Sequence, residues 1–189
     1  MSITAHSAPS HSAPSHSAHA PVLMDTAGQI APLDPWLFLE AEQGIEDAAD
    51  IVLDLDRLEQ SAGLLAHRNG RLGVILQPGE AVERLAPFLD KLALIAIVFP
   101  SFKDGRGFSS ARILRARMGF AGEIRAIGDV LIDQLAFMLR CGFTSFALRH
   151  PDPKAAFAAA IARFPAHYQS ASARTEAIPN LRHKEAPNS

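Results

Sequence analysis

The stretch LALIAIVFPSFKDGRGFSSARILRARMG, Leu92–Gly119, decides how the rest of the chain is read. Its first eight residues are apolar without interruption, the pattern of a strand covered on both faces. Pro100 closes that run. After a polar, glycine-bearing turn the period changes, and Phe108, Ala111, Leu114 and Met118 recur at helical spacing until Gly119, a residue suited to ending a helix. Strand, loop and helix in that order form one unit of an α/β sheet.

The same unit recurs on either side. Upstream, Asp50–Leu53 reads as a strand, Arg57–His67 as a helix with Leu58, Ala62 and Leu65 on one face, and Arg71–Leu76 as a strand. Gly79–Lys91 follows as a helix with Val82, Leu85, Ala86 and Leu89 in register, kinked at Pro87. Downstream, Glu123–Ile127 is a strand, Val130–Arg140 a helix, Thr144–Leu148 a strand and Pro153–Phe164 an Ala-rich helix with proline in its tolerated early position. About five alternating strand-helix units predict an α/β fold with a parallel sheet. They fit a flavodoxin-like doubly wound sheet and equally a partial barrel, and the chain is too short for a closed eight-stranded one. Asp34–Leu39 (DPWLFL) precedes the pattern as an added edge strand or a small antiparallel appendage, with Trp36 as its apolar anchor.

The flanks are different in kind. Residues 1–24 carry a five-residue near-repeat, HSAPS, that spaces His6, His11 and His16, with His19 following. Such a run builds no apolar stripe and reads as a disordered His/Ser/Ala/Pro tail. Residues 170–189 are polar, with Pro179 and Pro187, and read as a second disordered tail, leaving 25–169 as a single α/β domain with an N-terminal appendage.

Composition narrows the function classes. Of the 189 residues 48% are hydrophobic and 20% charged, a globular balance able to supply a core. The net charge of −2 gives no general attraction for nucleic acid or anionic lipid. Charge is unevenly placed, however: Asp25–Gln60 holds ten acidic residues against Arg57, whereas Lys103–Arg140 holds seven basic against four acidic. That local excess suits either a solvated helix face or a site for an anion or an acidic partner. The single cysteine, Cys141, cannot form a disulfide framework or hold an iron–sulfur cluster, and its CGF context predicts a buried, inert thiol. No apolar run approaches the ~20 residues that span a membrane and no secretory signal is visible, so the cytoplasm is the expected compartment.

In a parallel sheet, ligands gather outside the carboxyl ends of the strands. The longest such loop is PSFKDGRG, Pro100–Gly107. Lys103, Gly105, Arg106, Gly107 and Ser109 there suit an anion or partner site, because backbone N–H groups at a helix start attract negative charge and Arg106 adds a cation. The opposing reading has Asp104 capping the turn, Gly105 and Gly107 meeting positive φ, and Arg106 paired to a carboxylate. The loop is neither a Walker loop nor a dinucleotide fingerprint. A second cluster, RAIGDVLIDQ at Arg125–Gln134, adds Arg125 and Gln134 to the anion or partner candidates. Asp104 and Asp129 are the candidate acid/base residues, with Asp129 the natural N-cap of the next helix. His150 lacks a paired ligand, and no metal site or cofactor is indicated.

From Arg68 to Phe146 the chain resembles the bacterial family called domain of unknown function 934, most specifically in FPSFKDGRGFSSARILR, GEIRAIGDVLIDQ and RCGFTSFAL, and Asp34–Trp36 resembles that family's opening segment. The resemblance implies an accessory protein in assimilatory sulfite reduction, assisting sulfite reductase or coupling it to its electron donor. It also implies an alternative, a probable oxidoreductase, which here would bind a small anion at the Asp104/Arg106 loop. The family supplies no catalytic residues to carry over. The histidine-rich tail departs from its pattern.

Overall fold

A computed structural model describes residues 20–163 apart from 41, 46 and 66, so most of both expected tails, the spaced histidines included, lies outside the described residues. Among the described residues seven strands form one sheet: β1 (Val22–Asp25), β2 (Leu37–Phe38), β3 (Ile51–Asp54), β4 (Leu72–Leu76), β5 (Leu92–Phe99), β6 (Glu123–Gly128) and β7 (Ser145–Leu148). The helices are α1 (Leu55–Gln60), α2 (Ala62–Leu65), α3 (Arg106–Ala116), α4 (Leu135–Cys141) and α5 (Pro153–Ala162), with two 3-10 segments, Val82–Lys91 and Ile132–Gln134. The five expected strand-helix units, β3 to β7 each with its following helical segment, are all present. Two further strands enlarge the sheet. Asp34–Leu39 contributes β2, a parallel edge strand, and β1, whose first three residues read as tail, pairs antiparallel with β7.

The strand order is β1-β7-β6-β5-β4-β3-β2. From β2 to β7 each strand lies beside its predecessor and parallel to it, so the winding never reverses. That order corrects the doubly wound expectation, which requires a reversal, and is the sequential order seen in an arc of a barrel. Because parallel crossovers share one hand, steady progress in one direction puts every helix on the same face. Strand alternation agrees: Ile51, Leu53, Val74, Leu76, Ile95, Ile97, Phe99, Ile124, Ala126, Phe146 and Leu148 join the helix residues Leu58, Leu85, Leu114, Leu135 and Phe157 in one core.

Among the described residues the opposite face has no helix. Its middle is covered by the connection between β1 and β2, where Trp36 packs on Val52 and Leu94 in a second, smaller cluster. The Arg71 guanidinium caps the exposed side of the indole, 4.8 Å from its centroid. Pro87, which lacks the N–H a helix interior needs, falls inside the 3-10 segment Val82–Lys91 where an α-helix was expected.

The glycines of the central motif do not serve the expected purpose. Gly105 has φ −84° and Gly107 lies inside α3; neither occupies the left-handed region. Gly107 is small for packing, since a Cβ there would sit 2.7 Å from the Phe99 ring and 3.1 Å from Ile97. At Gly105 the nearest atom would be 3.9 Å away. Gly107→Ala is therefore expected to destabilise the protein by about 1–3 kcal/mol through overpacking, and Gly105→Ala by less than about 1 kcal/mol, as read by urea unfolding.

Candidate functional site

The loops at the carboxyl ends of β5 and β6 are tied into one body. In the β5 loop, Asp104 accepts hydrogen bonds from the Arg106 backbone N–H (3.1 Å), from Nε (3.0 Å) and from Nη2 (2.6 Å). The guanidinium holds the Asp104 carboxyl at about 2, well below the usual carboxylate range, and Asp104 raises Arg106 in return. The anion received at the start of α3 is thus the chain's own Asp104 carboxylate. Arg106 also lies across the β4 loop, where its Nη1 would be 3.0 Å from a Cβ at Gly79.

Asp129 does not cap the following helix. The 3-10 segment after it has Leu131 at its N-cap, with no side-chain cap bond. The Asp129 backbone N–H donates to the Phe99 carbonyl at 2.7 Å, and its carboxylate accepts from the Phe102 N–H at 3.0 Å. Gln134 completes the clamp by donating from Nε2 to the Phe102 carbonyl at 3.0 Å, while its Oε1 is buried without a partner. Gly128 makes this approach feasible. Its φ is +93°, and a Cβ would lie 2.3 Å from the Phe99 carbonyl oxygen.

This clamp presents an aromatic surface. Phe102 is 43% exposed with the Lys103 ammonium 5.6 Å from its ring, and Phe137 is 41% exposed with the Arg140 guanidinium 5.4 Å from its own. Phe108 lies beneath Phe137, its ring centroid 4.9 Å from Phe137 and 5.2 Å from Phe99. Lys103, Asp104, Gly105, Arg106, Gly107, Asp129 and Gln134 are thus gathered at one end of the sheet. Ser109 lies exposed in the first turn of α3.

Arg125 lies apart from that group, on the helix-free face of β6 and only 2% exposed. Its Nη1 donates to Asp34 at 2.6 Å and its Nη2 to Glu123 at 2.9 Å; Nε also reaches Glu123, which accepts in addition from the Ser145 hydroxyl. Beside this triad a cleft of about 610 Å³ runs along the carboxyl half of β6 and β7, walled by Leu23, Ile30, Leu33, Phe38 and Ile127, with Arg149 also in its lining. Asp34, Glu123, Ser145 and Arg149 were not among the expected site residues. A signal for one of them, Glu123, is present: in Glu123-Ile124-Arg125-Ala126 the charges alternate with apolar residues, marking a polar face on the strand.

Cys141 is buried, as its context predicts, and burial pushes its thiol up. His150 accepts from the Asp152 N–H through Nδ1 at 3.0 Å. No helix among the described residues is long and apolar enough to cross a membrane.

Fold and site together define a mostly parallel α/β protein, wound in one direction, with tethered loops at the carboxyl end of its sheet. The chain belongs to the DUF934 family, bacterial proteins of unknown function, whose model matches residues 73–178. The match takes in both loop clusters, Arg125 and the helices of the aromatic surface, and begins after Asp34–Trp36. No curated protein matches the chain.

The Asp104–Arg106 fork has a measurable pH signature. Since the folded carboxyl titrates below its ordinary value, the stabilisation it lends is complete above about pH 4 and is lost as pH falls through about 2. Carboxyl titration by NMR should place Asp104 at about 2. Arg106→Ala should return it to about 4.

Proposed function

We propose that this chain is an accessory protein of assimilatory sulfite reduction, docking an acidic partner, sulfite reductase or its electron donor, through the surface around Phe102 and Phe137. The pathway comes from the family resemblance. The docking mode rests on one observation: two exposed phenylalanines, each with a cation over its ring, one of them on the loop that Asp129 and Gln134 clamp. Exposed aromatic rings supply contact area at little entropic cost, and the surrounding basic residues complement an acidic partner.

The rival reading, a small-anion oxidoreductase using Asp104 and Arg106, is less favoured. Those two charges already satisfy each other, and an incoming anion would have to break a fork with a 2.6 Å bond. Asp129, the other candidate acid, is occupied in holding Phe102.

Tagged chain recovered from its native host under sulfate-limited growth should carry sulfite reductase or its electron donor. Phe102→Ser with Phe137→Ser should lower that recovery at least tenfold, since hot-spot aromatic residues carry about 2 kcal/mol or more each, while loss of the Phe108–Phe137 edge contact should lower thermal unfolding only modestly. A deletion strain should require sulfide or cysteine and fail on sulfite. Normal growth on sulfate as sole sulfur source would overturn the proposal.

A further inference from the structure

The helix-free face carries a feature that the docking surface does not use. We propose that the cleft beside Arg125 is a binding site for a small amphipathic organic anion, a carboxylate or sulfonate with an apolar body. The inference is independent of the docking reading and rests on different residues.

Three observations support it. The cleft, at about 610 Å³, is in the size range of small-molecule sites, and it lies at the carboxyl ends of parallel strands, where such sites collect. Its wall is apolar, formed by Leu23, Ile30, Leu33, Phe38 and Ile127. Its lining also holds two arginines of contrasting status. Arg125 is enclosed by two carboxylates and has its charge satisfied. Arg149, directly after β7, forms no ion pair among the described residues and is the cation left to receive a ligand.

These features orient the ligand. Asp34 and Arg125, the other two charged residues of the lining, pair with each other and cancel, which leaves Arg149 as the net charge of the cleft. The anionic head is placed at Arg149, where a guanidinium forms charge-assisted hydrogen bonds with two oxygens at once. The apolar body then lies along Leu23, Ile30 and Ile127. The ion pairs around buried Arg125 also fit a built site: charges in mid-sheet bring no clear stability advantage over apolar packing, yet they fix Asp34 and with it the neighbouring wall residue Leu33.

The probe is anilinonaphthalene sulfonate, whose fluorescence rises in an apolar site and whose sulfonate matches Arg149. Titration of the full chain should give saturable, single-site binding. Arg149→Ala, an exposed substitution with little bearing on folding, should weaken it at least roughly tenfold. Ala147→Trp, which fills the cleft, should abolish it, with thermal unfolding checking that this variant folds. Decanoate should displace the dye and decylamine should not. Absence of saturable binding, whether because the chain's own N-terminus or a second copy fills the cleft, would overturn the proposal. So would binding unchanged by Arg149→Ala, equal displacement by decylamine, or loss of binding in Phe102→Ser, which would place the dye on the aromatic surface.

Discussion

One guanidinium organises the helix-free face. A charged group buried in mid-sheet costs several kcal/mol unless each of its donors is met. Arg125 meets that demand with Glu123, two residues away on its own strand, and Asp34, ninety-one positions earlier. Once Asp34 is fixed, the next few residues are placed as well. Asp34 accepts the Trp36 N–H at 3.2 Å, and the indole then lies on Val52 and Leu94. From there the chain enters β2 and pairs with β3. The single ion cluster therefore explains why a segment with almost no regular structure covers a sheet face that the winding of the helices leaves bare, and why a cleft persists beside it.

The two faces carry different kinds of organisation. On the helix side the core is continuous and apolar, and close contact between α3 and β5 at Gly107 brings the Phe108 ring against Phe99. That contact extends through Phe137 to the surface. The loops above it are held by polar bonds between neighbouring strands' ends, Asp129 and Gln134 holding the two peptide groups that flank Phe102. An exposed aromatic ring on such a base loses little freedom when it is covered, which is what a recognition surface requires.

Much of the fold is legible in the sequence, because burial on both faces writes strands as apolar runs. β5 occupies the run Leu92–Phe99 from end to end, and β3, β4, β6 and β7 match theirs within a residue or two. β1 escapes because it is four residues long beside a low-complexity tail, with Met24 as its one fully buried side chain. Strand order escapes for a different reason: alternation of strand and helix fixes parallel pairing but does not say which strands are neighbours. The candidate loops were legible as places and less so as roles. Asp129 has the spacing of a cap, yet the neighbouring strand's loop offers its carboxylate an N–H, and a contact between loops 27 residues apart leaves no periodic trace. Arg125 was legible as a charge on a central strand, while its pairing with Asp34 needs the fold to be known.

The claim that the Arg125–Asp34 bridge fastens the N-terminal segment to the sheet is tested most directly by a double-mutant cycle. Urea unfolding of Arg125→Lys, Asp34→Asn and the double variant gives the coupling energy between the two side chains. A fastening bridge predicts a coupling of about 1–3 kcal/mol, with the second substitution costing far less once the first is made. Costs that add to within about 0.3 kcal/mol would contradict it and leave the segment held by Trp36 and by the pairings of β1 and β2.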